Sequence, residues 1–232
     1  MTVTAIIAAA GFGRRLGAGV PKQLLELDGR SILERSVGAF LSHPRVRDVV
    51  VALPAALAAE PPGWLAGAPR LRVVAGGERR QDSVANAFDA VSDDADIVLV
   101  HDAARPFVTA DVISRSIDAA ARHGAAIAAM PASDTVKRVD GAVIVGTLPR
   151  ESIYLAQTPQ AFRREVLRAA VALGRSGVSA TDEAALAERA GHPVHVIEGD
   201  AGNVKITTAG DLDAARERAQ SARALPPGSG GK

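Results

Sequence analysis

Short runs of apolar, often β-branched residues recur along the chain, each followed by a longer stretch whose apolar positions fall at helical spacing. The runs cover 3–8 (Val-Thr-Ala-Ile-Ile-Ala), 49–53, 71–75, 97–100 and 125–130. Continuous rather than alternating apolar character signals burial on both faces, the situation of parallel strands sandwiched between helices. Helical spacing predicts helices near 31–42, 81–91 and 110–122. The alternation reads as a doubly wound, mostly parallel α/β sheet. In such sheets ligands sit beyond the carboxyl ends of the strands, so the loops after Ala8 and after Val100 are the first places to look.

The rhythm breaks between Pro131 and Ser152. Asp134-Thr135-Val136-Lys137-Arg138, an Asp140-Gly141 turn and the stretch from Ala142 to Arg150 predict a β-hairpin arm at about 131–152. Such an excursion needs a surface to pack on, a second subunit being one candidate. The alternation then resumes, with helices predicted near 162–174, 181–190 and 209–223 and strands near 194–198 and 204–207. Residues 1–224 read as one domain. The tail 225–232, Leu-Pro-Pro-Gly-Ser-Gly-Gly-Lys, cannot bury apolar surface and is expected to be disordered.

Composition narrows the chemistry. There is no cysteine, which removes disulfides, thiolate metal sites and cysteine nucleophiles. Lys plus Arg number 27 against 26 Asp plus Glu, so no global field gathers nucleic acid or an acidic membrane. Aromatic residues are 3% of the chain, too few for base-stacking platforms. No run approaches the roughly 18 apolar residues of a membrane span, and Val3 to Ala10 lacks the basic flank of a signal peptide. The expectation is a cytoplasmic protein that binds neither nucleic acid nor membrane, and that holds any polyanion with a few placed residues.

Those residues cluster in three loops. The first, Ala9-Ala10-Gly11-Phe12-Gly13-Arg14-Arg15-Leu16-Gly17 followed by Pro21-Lys22-Gln23, puts glycines directly after the first strand, where backbone amides can turn toward phosphate. It lacks the Gly-Lys-Ser/Thr of a Walker loop, and its third glycine is one residue late for a dinucleotide fingerprint. Arg15 and Lys22 suit a nucleoside triphosphate whose charge is countered by side chains, since transfer at the α-phosphorus builds negative charge on oxygens and on leaving pyrophosphate. Arg14, Arg15 and Lys22 as plain solvated charges are the alternative. The second loop, His101-Asp102-Ala103-Ala104-Arg105-Pro106, brings a carboxylate to a strand end, where it could hold Mg²⁺ together with phosphate oxygens; an Asp102–Arg105 ion pair capping a turn is the alternative. The third, Gly76-Gly77-Glu78-Arg79-Arg80-Gln81-Asp82-Ser83, offers Ser83 as a helix N-cap or a base contact. The histidines suggest little: His192 and His195 read as surface imidazoles, His43 and His123 as helix-end residues and His101 as a supporting hydrogen-bond partner.

Taken together with Asp134-Thr135-Val136-Lys137, Gln157-Thr158-Pro159-Gln160, Thr181-Asp182-Glu183-Ala184 and Asn203-Val204-Lys205-Ile206-Thr207, these segments, in order over nearly the whole chain, closely resemble 2-C-methyl-D-erythritol 4-phosphate cytidylyltransferases. The resemblance implies a Rossmann-like sheet with a β-hairpin dimerisation arm. It implies Mg²⁺-dependent transfer of CMP from CTP to methylerythritol 4-phosphate, with release of pyrophosphate, in the non-mevalonate route to isoprenoids. Ala9, Ala10, Gly11, Gly13, Gly77, Glu78, Ser83, Asp102 and Ala103 would hold the nucleotide. Arg15, Lys22 and Lys205 would be the catalytic cations, and Asp102 the metal ligand. Arg105, Thr135, Arg150, Thr158 and Thr181 would bind the sugar phosphate, Thr135 and Arg150 reaching the site of the partner in a homodimer with shared active sites. The chain departs from the family pattern at Gly202, where many members carry an acid; its nearest acid is Asp200. Two rivals share parts of the pattern: a sibling nucleotidyltransferase acting on ribitol 5-phosphate or a sugar 1-phosphate, and a non-catalytic nucleotide-binding module.

Overall fold

The computed structural model describes residues 1–11 and 21–224, so Gly13, Arg14, Arg15 and the tail 225–232 lie outside the described residues. A seven-stranded sheet forms the centre. Strands β1 (Val3–Ala8), β4 (Val46–Leu53), β5 (Leu71–Ala75) and β6 (Ile97–Asp102) run parallel, with β1 between β4 and β6. The chain steps outward from β1 to β4 and β5 and then returns to β6 on the other side of β1, making a switch point between β1 and β6. Beyond β6 lie β10 (Tyr154–Arg163), β7 (Ala125–Pro131) and β11 (His195–Glu198), with β10 antiparallel to both of its neighbours. The sheet is doubly wound and mostly parallel, as the apolar runs predict.

Successive strand residues point to opposite faces, and both faces are covered. Ala5 and Ile7, with Val49, Val51, Ile97 and Leu99, pack under helices α1 (Ile32–Leu41) and α4 (Ala110–His123). Ile6, with Val50, Val98 and Val100, packs under α3 (Arg80–Asp89), α5 (Arg164–Arg175) and α6 (Glu183–Arg189). Each helix starts where local chemistry allows it. Ser31 accepts the Glu34 amide at the start of α1, Thr109 that of Val112 in α4, and Asp182 that of Ala185 in α6. Gly124, at φ 88°, ends α4 in a conformation that favours glycine. A short helix α2 (Ala55–Ala59) follows β4, and the small pair β2 (Glu26–Leu27) and β3 (Arg30–Ser31) precedes α1. Helix α7 (Ala209–Ala224) closes a third apolar cluster around Leu27, Ile32 and Ile206.

The excursion is a hairpin of β8 (Val136–Asp140) and β9 (Val143–Leu148) turning at Gly141, a two-stranded sheet apart from the main one. Two expectations are corrected. The helix predicted from 162 begins at Arg164, because 162–163 finish β10, a strand that the polar Gln157-Thr158-Pro159-Gln160 stretch concealed. Residues 204–207 join no sheet; Ile206 donates one backbone hydrogen bond to Ala104 O and its side chain turns into the α7 cluster.

Candidate active site

The loops leaving the carboxyl ends of β1, β5 and β6 enclose a cleft of about 670 Å³ at the switch point. Ala9, Ala10 and Gly11 line it from the first loop, and Lys22 from the 3-10 turn Lys22–Leu24. Gly77, Glu78 and Ser83 line it from the third loop and α3. Asp102 and Ala103 form its floor at the end of β6, and Lys205 and Thr207 its far side. Segments distant in sequence therefore meet because parallel strands deliver all their carboxyl ends to one edge.

The glycine turn is close-packed rather than merely flexible. A Cβ on Gly76 would stand 2.3 Å from the Ala10 Cβ and 2.8 Å from the Ser83 hydroxyl oxygen, and one on Gly77 would stand 2.4 Å from the Asp82 Cβ. Ser83 lies inside the first turn of α3, so it is not the N-cap, which is Arg79. Its buried hydroxyl accepts the Gly77 amide at 3.1 Å and donates to Arg79 O at 3.1 Å, tying the turn to the helix.

The floor is an alternating chain of charge. Asp102 accepts from Lys205 Nζ at 2.7 Å on one oxygen and from Arg80 Nε at 2.8 Å on the other; Arg80 Nη1 reaches Glu183 at 2.6 Å. Burial pushes the Asp102 carboxyl up, but Arg80 and Lys205 outweigh it and hold the group well below the usual carboxylate range. Burial likewise opposes the charge on Arg80, and the two carboxylates more than restore it. Glu183 is pushed up by burial, which Arg80 offsets only in part. The Asp102–Arg105 ion pair considered from the sequence does not form: the Arg105 guanidinium donates instead to Asn203 O at 2.7 Å and Ala156 O at 3.2 Å.

Beneath the floor the hydrogen bonds have only one direction. His101 Nε2 faces the carbonyl of Arg105 at 3.0 Å, which can only accept, so this nitrogen carries the proton. His101 Nδ1 then accepts from the Thr158 hydroxyl at 2.9 Å, and Thr158 Oγ1 accepts the Asp102 amide at 3.1 Å. Burial holds the imidazole down to about 4, so it stays neutral. Thr158 and Arg105 are thus buried supports of the floor rather than part of the cleft lining.

Thr135, Arg150 and Thr181 also lie outside the cleft lining and are exposed; Arg150 donates to Ser133 O at 2.9 Å across the base of the hairpin. Lys22 Nζ donates to Ile206 O at 2.7 Å, joining the first loop to the segment that carries Lys205. Asp200 faces its own turn, where its carboxylate accepts the Gly202 amide at 2.6 Å. The space beside Gly202 is filled by the Arg218 guanidinium, 2.0 Å from where a Cβ would stand, with Arg218 lying over the Phe107 ring. Sequence reasoning did not single out Arg80 and Glu183. Nothing local separates Arg80 from Arg79, which pairs with Asp82; only the fold brings α3 and α6 together at Asp102.

Comparison with known proteins identifies the family. The family model for 2-C-methyl-D-erythritol 4-phosphate cytidylyltransferase (IspD) matches residues 3–219. The chain belongs to this family. A cytidylyltransferase of that name from Geotalea uraniireducens is 45% identical over 219 residues, covering 91% of this chain and 94% of that protein. A protein named bifunctional enzyme IspD/IspF, from Anaeromyxobacter dehalogenans, is 48% identical over 220 residues, covering 92% of this chain and 56% of that protein. Among solved structures, the cytidylyltransferase of Thermus thermophilus superposes with a TM-score of 0.81 at 39% identity, covering 95% of this chain and 100% of that one.

Proposed function

We propose that this chain transfers CMP from CTP to 2-C-methyl-D-erythritol 4-phosphate, giving 4-diphosphocytidyl-2-C-methyl-D-erythritol and pyrophosphate on the non-mevalonate route to isoprenoids. The observation that carries the reading is the family match over 3–219, joined to a cleft in which Lys22, Lys205 and Asp102 converge beside the glycine turn. The acceptor's phosphate oxygen attacks the α-phosphorus in line, and pyrophosphate leaves. A phosphate monoester is already anionic near neutral pH, so the protein's work is positioning and charge neutralisation rather than proton transfer. Backbone groups near Ala9, Ala10, Gly77 and Glu78, which line the cleft, hold the nucleotide, with the Ser83 hydroxyl at its base. Lys22 and Lys205, with Arg15 outside the described residues, stabilise the charge that builds on phosphorus.

Mg²⁺ fits the donor set. Among the described residues lining the cleft, the floor offers the hard carboxylate of Asp102, and no imidazole or thiol faces the same space. Asp102 would hold the ion together with phosphate oxygens; when bound, it neutralises phosphate charge. We place the working form as a homodimer in the cytoplasm. Val139, Val143, Ile144, Val145 and Leu148 of the hairpin are exposed, an apolar surface that a second copy would cover. In that arrangement Thr135 and Arg150 grip the acceptor in the partner's cleft. Thr181 and the buried Thr158 and Arg105 support the same pocket.

The test is pyrophosphate release with Mg²⁺, offering CTP or UTP against methylerythritol 4-phosphate, ribitol 5-phosphate or a sugar 1-phosphate. Release with CTP and methylerythritol 4-phosphate is expected. Release with another acceptor alone would discard the pathway assignment, and no release with any pair would leave a binding module.

A further inference from the structure

The two cations that share Asp102 are not equally free to leave it. Lys205 holds one oxygen, its side chain lines the cleft and is 41% exposed, and Asp102 is its acidic partner among the described residues. Arg80 holds the other oxygen and has a second anchor in Glu183, whose side chain is 1% exposed. The backbone around Glu183 is itself fixed: Gln160 accepts the Ala184 amide at 3.1 Å and donates to the Asp182 carboxylate at 2.9 Å, while Asp182 caps α6. Glu183 Oε1 is buried with no hydrogen-bond partner among the described residues, so Arg80 is the side chain that holds this carboxylate. The desolvation cost of a buried carboxylate with one guanidinium partner can exceed what the pair returns, so the pair is weak evidence for a purely stabilising role.

We propose that Glu183 is a positioning residue for the transfer reaction: it pins Arg80, so that Lys205 is the cation that leaves Asp102 for phosphate oxygens when the nucleotide enters. The inference rests on the cytidylyltransferase reading above. A triphosphate competes with Asp102 for both cations. The singly anchored lysine exchanges partners readily, whereas the arginine, forked between two carboxylates, stays and keeps the Asp102 side chain in place. With Glu183 uncharged, the guanidinium fork is the better phosphate ligand, Arg80 follows the phosphates, and Asp102 loses its fixed partner.

The experiment is a cycle of wild type, Glu183→Gln, Lys205→Ala and the double variant. It reads pyrophosphate release from CTP and methylerythritol 4-phosphate, alongside calorimetric titration of CTP alone. Glu183→Gln is expected to lower kcat about tenfold or more while the KM for CTP stays within about threefold, the mark of a misplaced group in an otherwise intact site. CTP stoichiometry stays at the wild-type value, and Glu183→Asp recovers part of the lost turnover. In the Lys205→Ala background the same substitution costs clearly less than in wild type, because the part of the effect that passes through release of Lys205 is gone. Equal costs in the two backgrounds, or a fall in CTP stoichiometry that matches the loss of kcat, would overturn the proposal in favour of simple fold support. If Glu183→Gln does not fold, Glu183→Asp carries the cycle with the same criterion. Wild-type protein that releases no pyrophosphate from this pair would overturn the cytidylyltransferase reading, and the inference with it.

Discussion

Single side chains at the floor of the cleft have their roles set by which atoms can donate. His101 must be protonated on Nε2, and its partners leave it no part as a base. NMR of the imidazole nitrogens is expected to show the neutral, Nε2-protonated form at pH 5.5, with protonation only toward pH 4. The sign for stability follows. A depressed folded value means that the unfolded chain binds more protons between about 6.5 and 4, so His101 contributes stability above that window that falls away as pH drops through it. Thr158→Val leaves the Asp102 amide and His101 Nδ1 without a partner, at a cost of about 1–3 kcal/mol readable by denaturant titration. Lys22→Ala removes a cation from the triphosphate side, and kcat is expected to fall about a hundredfold or more in steady-state assays of the folded variant. Unchanged turnover would remove Lys22 from the catalytic set.

At the scale of elements, the parallel strands were legible because burial on both faces writes itself as continuous apolar runs, as in Val49 to Leu53. The antiparallel strand β10 was not, because Gln157, Thr158 and Gln160 are polar yet buried. Each is bonded: Gln157 to Asp200, Thr158 to His101 and Gln160 to Asp182. Such partners lie far along the chain, so no local pattern announces them. The register of β10 on β7 shifts between Ala156 and Gln160, which interrupts alternation at the point where the motif falls. The glycine turn shows the opposite case, a sequence signal whose reason is packing. Gly76→Ala would drive a methyl into Ala10 and the Ser83 hydroxyl, so it is expected to lower thermal stability and to weaken CTP binding in a calorimetric titration. Binding equal to wild type would show that the first loop can give way.

For the whole molecule, the hairpin is where apolar side chains stand in solvent. Its exposed Val143 and Ile144, at 66% and 60%, are costly to leave in water. If the proposed homodimer forms through the hairpin, Ile144→Asp is expected to shift the protein toward monomer in analytical ultracentrifugation. On the same proposal the KM for methylerythritol 4-phosphate is expected to rise, because Thr135 and Arg150 would no longer meet a neighbouring cleft. A variant that stays dimeric with unchanged KM would place the shared site elsewhere.

The sequence by itself determined the α/β alternation, the hairpin, and the loops that carry glycines, Lys22, Asp102 and Lys205, because burial periodicity and turn chemistry are local properties. Tertiary structure alone decided what those residues do to one another. Arg80 lies 22 residues from Asp102 and 103 from Glu183, and Lys205 lies 103 from Asp102. Their convergence depends on parallel strands ending at one edge and on α3 and α6 packing on the same face. A charge shows its meaning only through the burial and partners that surround it, and those come from contacts across the fold.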